Sequence, residues 1–364
     1  MQGLKNKTRS GKVRNSEFGI RNGNRGIEYA AARRSALRTP RSTFRGFTLV
    51  EMLVVIVIIG VLMGLAIPAM MRARIAVIEG RVITEISGLS SAISSFKAKY
   101  GVEPPSRFSI YLTQAGWSGD PTNMAIVRRI WPQFDFTLGD ANATGATKGT
   151  NYPAFWWDTL GGTNHVINLN SSECLLFFLG GVIPVQGQNQ VPVGFAKNPV
   201  YPFAPPTTSA NREGPFFELT DVSRIKDLDG NGVNEWYDSI PNQSSPLLYF
   251  SSYEGAGYRT AELPNNGTSF TALNDVYRIS STAGTLPPAS PTTTFPGSPL
   301  DSRSLPAQKP QSFQIISPGY DGQYGSGGVH NPNLPNSGLV TATGTPDTVA
   351  YDNLTNFHGG RLKP

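Results

Sequence analysis

The sequence is short of the residues that small exported domains and enzymes are commonly built around. It has one cysteine in 364 residues, Cys174, so no disulfide can close within the chain. An exported domain of this kind must be held by its core, by a metal or by assembly. Cys174 precedes the apolar run Leu175–Leu179, a setting for a buried structural thiol that lacks the polar surroundings of a nucleophile. His165, His330 and His358 are isolated, with none of the His/Cys spacings of a zinc site. There is no Gly-x-Ser-x-Gly elbow, and the glycine-rich stretch 322–328 has no Lys-Ser/Thr pair and opens no helix. No catalytic constellation emerges, and no enzyme is expected. Trp156-Trp157 reads more readily as a buried aromatic anchor than as a stacking platform.

Charge is scarce too, at 15% of residues, and it is unevenly placed. Residues 1–46 carry twelve Lys/Arg against two Asp/Glu, whereas the remaining 318 carry nineteen against twenty-three. The formal net charge of +6 therefore belongs to the N-terminal segment, and the body offers no basic surface for nucleic acid.

Glycine and proline are plentiful, 39 and 29, which favours turns and loops over a helical bundle. Four segments follow in order. Residues 1–46 are polar, basic and aperiodic, a leader that the positive-inside rule keeps on the cytoplasmic side. Residues 47–71 are apolar apart from Thr48, Glu51, two glycines and Pro68, and at 1.5 Å per residue would form roughly 37 Å of helix, enough to cross a ~30 Å hydrocarbon core. Pro68 should loosen that helix near its far end. Residues 72–100 place Ile75, Ile78, Val82, Ile86, Leu89, Ile93, Phe96 and Tyr100 at helical spacing, an amphipathic continuation ended by Gly101 and Pro104-Pro105. Its apolar stripe needs a covering surface, for which the body over 101–364 is the nearest candidate. That body reads as β- and loop-rich, with apolar runs at 154–157, 175–179, 216–219, 247–250 and 313–316 and an extended proline-rich stretch from Thr282 to Pro310. The expected fold class is α+β, a long N-terminal helix packed on an antiparallel sheet with long loops.

Gly46-Phe47-Thr48-Leu49-Val50-Glu51, a basic residue before the glycine and a long apolar run after it resemble the processing signal of type IV pilins and type II secretion pseudopilins. The resemblance implies that a prepilin peptidase cuts between Gly46 and Phe47 and methylates the new Phe47 amine. Glu51 and Pro68 then stand where that family has them, as mature residues five and twenty-two. A carboxylate in a spanning helix is costly without a partner; the Phe47 amine of a neighbouring subunit could supply one. Alternatively, Glu51 sits at headgroup level where the helix dipole favours it. The implied function is a structural subunit of a type II secretion pseudopilus, anchored in the bacterial inner membrane with its body in the periplasm or at the cell surface. Its partners would be itself, other pseudopilins, the prepilin peptidase and the inner-membrane assembly machinery. A minor type IV pilin and a membrane-tethered binding domain remain open. The leader is long for such proteins, yet a start at the next methionine, Met52, would lose the motif.

Two further constellations suggest calcium. Asp227, Asp229 and Asn231 fall at positions 1, 3 and 5 of a loop, the Val233 carbonyl at 7, Glu235 at 9 and Asp238 at 12, an EF-hand-like oxygen set without flanking helices. Residues 216–225 before it read as a strand. An Asx-rich turn is the simpler account of the same residues. Ser317-x-Gly319-x-Asp321-Gly322 and the later Asp352 resemble the C-terminal turn of the major pseudopilin, which implies a weaker calcium role for Asp321 and Asp352. Residues 246–250 resemble the strand that precedes this turn in that family, without its Trp-Gly.

Overall fold

The computed structural model describes residues 46–137, 152, 166–183, 191–206, 211–219, 221–228, 233–259, 276–280, 305–340 and 345–363. The chain divides into two compact units, residues 1–62 and 63–364. Helix α1, Leu49–Tyr100, runs from the first into the second and continues unbroken through Pro68. In the first unit every described residue is exposed. Such a surface, apolar all round, is stable against lipid or other apolar helices and not against water.

In the second unit the stripe is covered as expected. Val82, Ile86, Leu89, Ala92, Ile93 and Phe96 are buried, and Ile78 and Tyr100 are half-buried against the same core. What covers them is a short antiparallel strand pair, a buried helix and a three-stranded sheet. Strands β1 (Phe108–Tyr111) and β2 (Val166–Leu169) pair antiparallel, with Phe108 opposite Leu169. Two short helices, α2 (Gln114–Gly119) and α3 (Pro121–Ile130), lie between them in sequence and are capped by Thr113 and Asp120. Helix α4, Ser171–Gly180, is buried along its whole length.

Helix α4 corrects the strand expected at Leu175–Leu179. Asn170 accepts from the Ser172 and Glu173 amides while the Glu173 carboxylate accepts from the Asn170 amide, a reciprocal capping box that starts a helix. Of the strand expected over 216–225, only Ile225 is in a strand among the described residues. The Phe216 and Phe217 amides both donate to the Leu179 carbonyl at the end of α4, so these two residues close a helix and do not join a sheet. Phe216 packs edge-on against Phe96, and Phe217 against Trp236. Cys174 is buried, as expected. The run at 154–157 lies outside the described residues.

Two two-residue ladders follow in the chain order of their strands: β3 (Phe195–Ala196) pairs with β4 (Arg212–Glu213), and β5 (Ile225–Lys226) pairs with β6 (Glu235–Trp236). The principal sheet then takes β7 (Leu248–Ser251), β8 (Phe313–Ser317) and β9 (Leu354–Thr355) in that order, all antiparallel. Its pleat serves two cores. Tyr249, Phe313, Ile315 and Leu354 join the core beneath α1 and α4. Leu248, Phe250 and Ile316 point to the opposite face and pack with Tyr277, Tyr324, Leu339 and Leu362. Gln314, buried on that second face, is satisfied by donating to the Tyr277 and Gln308 carbonyls and accepting from the Tyr277 amide. The result is the expected α+β, pilin-like architecture, a long N-terminal helix followed by small antiparallel sheets.

Candidate processing and assembly site

Gly46, Phe47 and Thr48 precede α1 without helical structure, and the helix begins at Leu49. A Cβ placed on Gly46 would meet no atom within 4 Å, and Phe47 is 75% exposed. A peptide bond in an exposed, non-helical stretch is accessible to a peptidase. The helix start is fixed locally: the Thr48 amide and hydroxyl donate to Glu51 Oε2 at 2.7 and 2.9 Å, while the Glu51 amide donates to Thr48 Oγ1 at 3.2 Å. This is a second reciprocal capping box, written in the sequence as Thr-x-x-Glu. Glu51 therefore has a partner within its own chain, a role the sequence analysis missed although its signature was present. From Leu49 to Met71 the large side chains are exposed, and this helix is long and apolar enough to cross a membrane.

Residues 41–67 match the prokaryotic N-terminal methylation motif. The motif is that of type IV pilin-like substrates of a prepilin peptidase, and with the exposed apolar helix it fits a single-pass membrane-anchored protein of a structural family. No curated protein and no solved structure gives a significant match to the chain.

The expected calcium loop is only partly described, since Asp229 and Asn231 lie outside the described residues. Glu235 is buried; its Oε2 accepts from the Leu228 amide at 2.8 Å and its Oε1 from Asn170 Nδ2 at 3.4 Å, which ties the loop to the cap of α4. Asp238 is buried too, and accepts from Ser317 Oγ, Gln243 Nε2 and the Ile240 amide. Burial pushes its carboxyl up to about 6 against the lowering effect of those donors. Both carboxylates thus have protein donors that a cation would have to displace.

The Ser317–Gly322 turn does bring Asp321 and Asp352 together. Asp352 Oδ2 accepts from the Tyr320 amide at 2.6 Å and the Asp321 amide at 3.1 Å, and Asp321 Oδ1 accepts from Gln323. Gly319 has φ +68°, and a Cβ there would lie 2.5 Å from the Asp352 carboxyl carbon, so this turn requires glycine. Burial, with the negative charges of Asp352 and Asp347, raises the Asp321 carboxyl above its usual range. Asp347, which the sequence analysis did not single out, accepts from the Ser326 amide at 2.6 Å. Among the described residues no group of three or more His, Cys, Asp or Glu side chains is arranged to hold a metal ion.

Other residues missed in the sequence fix α1 to the body. Arg224 pairs with Glu85 and also donates to the Tyr237 and Asp238 carbonyls. Arg361 pairs with Glu79, and Tyr320 Oη donates to the Ile75 carbonyl at 3.1 Å. Their partners lie more than a hundred residues away in sequence, so no local pattern announces them. His330 and His358, isolated in sequence, are neighbours in space with ring centroids 5.0 Å apart.

Proposed function

We propose that this chain is a structural subunit of a type II secretion pseudopilus. In this reading residues 1–46 are removed, residues 47–71 cross the inner membrane, residues 72–100 continue the helix and residues 101–364 form an extracytoplasmic body. The observation that carries it is the methylation motif at 41–67 opening a helix whose apolar first half is exposed on all sides. Polymerisation through Phe47–Met71 would hide that surface, and the Phe47 amine released by cleavage would give Glu51 an intersubunit partner in addition to its own Thr48.

Intact-mass analysis of the membrane-extracted protein tests this first. The expected mass is that of a chain beginning at N-methylated Phe47. A chain that retains Arg45-Gly46 would instead be a tether and would overturn the filament reading.

We further propose that the loop over 227–238 takes a calcium ion through Asp227, Asp229, Asn231 and the Val233 carbonyl, with Glu235 and Asp238 joining by exchanging protein donors for the ion. The residue pattern supports this, since Ca²⁺ takes six to eight hard oxygens. Isothermal titration of the detergent-solubilised chain with calcium should give saturable heat, reduced in an Asp227→Ala, Asp229→Ala variant. The absence of heat at millimolar calcium would remove the site.

A further inference from the structure

The body touches α1 at a defined height. Tyr320, at the tip of the Ser317–Gly322 turn, donates its hydroxyl to the Ile75 carbonyl, four residues beyond Met71. Among the described residues of the body it is one of few large apolar or aromatic side chains that are exposed, at 37%. Arg361 lies over its ring, 5.8 Å from the centroid, and pairs with Glu79 on the next turn of the helix. Arg72 and Arg74 are exposed on the same stretch of α1.

A bilayer's headgroup layer is about 5–8 Å thick on each side of the hydrocarbon. At 1.5 Å of rise per residue, roughly four or five helical residues traverse it. With the hydrocarbon ending at Met71, that layer holds Arg72 to about Ala76, the level at which Tyr320 meets the helix. Tyrosine is enriched at this depth because its ring is apolar and its hydroxyl polar. Arginine matches phosphate oxygens through its planar fork of donors. The carboxylate of Asp352 accepts from the Tyr320 and Asp321 amides of the turn, and that of Asp321 from the Gln323 amide just after it.

We propose that the Ser317–Gly322 turn is a second membrane contact, seated through Tyr320 among phospholipid headgroups whose phosphates are held by Arg72 and Arg74. This rests on residues 47–71 being the membrane span. The contact fixes the height and tilt of the body over the membrane before assembly, and it must be released when the helix leaves the bilayer.

The test uses the full chain in nanodiscs of phosphatidylethanolamine and phosphatidylglycerol, with nitroxide labels on single introduced cysteines. Cys174 is buried and does not compete for the label. Collision rates with oxygen and with a polar nickel chelate are compared for Asp321→Cys and Gln323→Cys, two exposed positions that leave Tyr320 in place. Leu65→Cys serves as the hydrocarbon reference and Ala98→Cys, about 40 Å beyond Met71 along the helix, as the aqueous one. The expected result is that both turn labels are several-fold less accessible to nickel than Ala98→Cys, and lie between the two references. Turn labels as accessible as Ala98→Cys, with Leu65→Cys shielded, overturn the contact and leave the span intact. A Leu65→Cys label as accessible as Ala98→Cys overturns both. In the unsubstituted chain, a photoactivatable headgroup on phosphatidylethanolamine should crosslink to the 318–323 peptide. Crosslinks confined to 72–76 would overturn the contact without any substitution.

Discussion

Glu51 combines two effects that truncation would confound. It closes the capping box with Thr48 at the start of α1, and it carries a negative charge into an apolar run. Glutamine at this position keeps the cap and removes the charge, whereas leucine removes both. If the charge is what assembly needs, Glu51→Gln and Glu51→Leu should both insert and be processed, yet both should be missing from sheared filament fractions. Normal incorporation of the Gln variant, read by immunoblot of those fractions, would assign the requirement to the cap. The Thr-x-x-Glu spacing was legible in the sequence, but the cost of a carboxylate in an apolar run pointed first to a partner on another chain. The histidine pair was not legible, because residues 28 positions apart meet only through the fold of the C-terminal segment.

Among the elements, α1 was the most legible. Its stripe follows helical spacing over seven turns, and the buried set from Val82 to Phe96 follows that spacing closely, with Ala92 as the one addition. Phe96 is fully buried, with Phe178 and Phe216 edge-on to it and Tyr100 tilted against it. Phe96→Ala should lower the unfolding free energy of the body by about 3–5 kcal/mol, measured by urea titration. Helix α4 was misread because an apolar run without alternation suits a buried strand and a buried helix equally. The Asn-Ser-Ser-Glu sequence before it held the deciding signal. The largely unformed strand at 216–225 has a different cause: its aromatic side chains fill gaps beside α1 and Trp236, and its first amides cap α4. Tertiary demand of that kind leaves no local signature.

Two buried titrating groups give the whole body opposing responses to acid. His330 is enclosed by Tyr277, Phe357 and His358, with Nε2 bonded to the Leu362 carbonyl. Burial, reinforced by His358, lowers it to about 4, against about 6.5 in an unfolded chain. The unfolded state therefore takes up a proton first, and stability falls as pH drops from 6.5 towards 4. Asp238 is raised to about 6, so the folded state binds its proton first and stability rises over an overlapping range. The unsubstituted protein should consequently show a shallow pH dependence. Urea midpoints across that range should rise on acidification in His330→Gln and fall more steeply than in the parent in Asp238→Asn.

The Arg361–Glu79 pair joins residues 282 positions apart in sequence. Contacts so far apart form late, because the entropy lost in closing so long a loop is repaid only once other contacts are in place. The apolar stripe of α1 is synthesised well before β9 and Arg361, which complete its cover, Arg361 following Glu79 by 282 residues. While that intervening chain is being made, the stripe of α1 is therefore an unprotected adhesive surface. A product truncated before residue 354 would lose the third strand of the sheet and the Arg361 clasp together, and would be a candidate for chaperone capture or proteolysis.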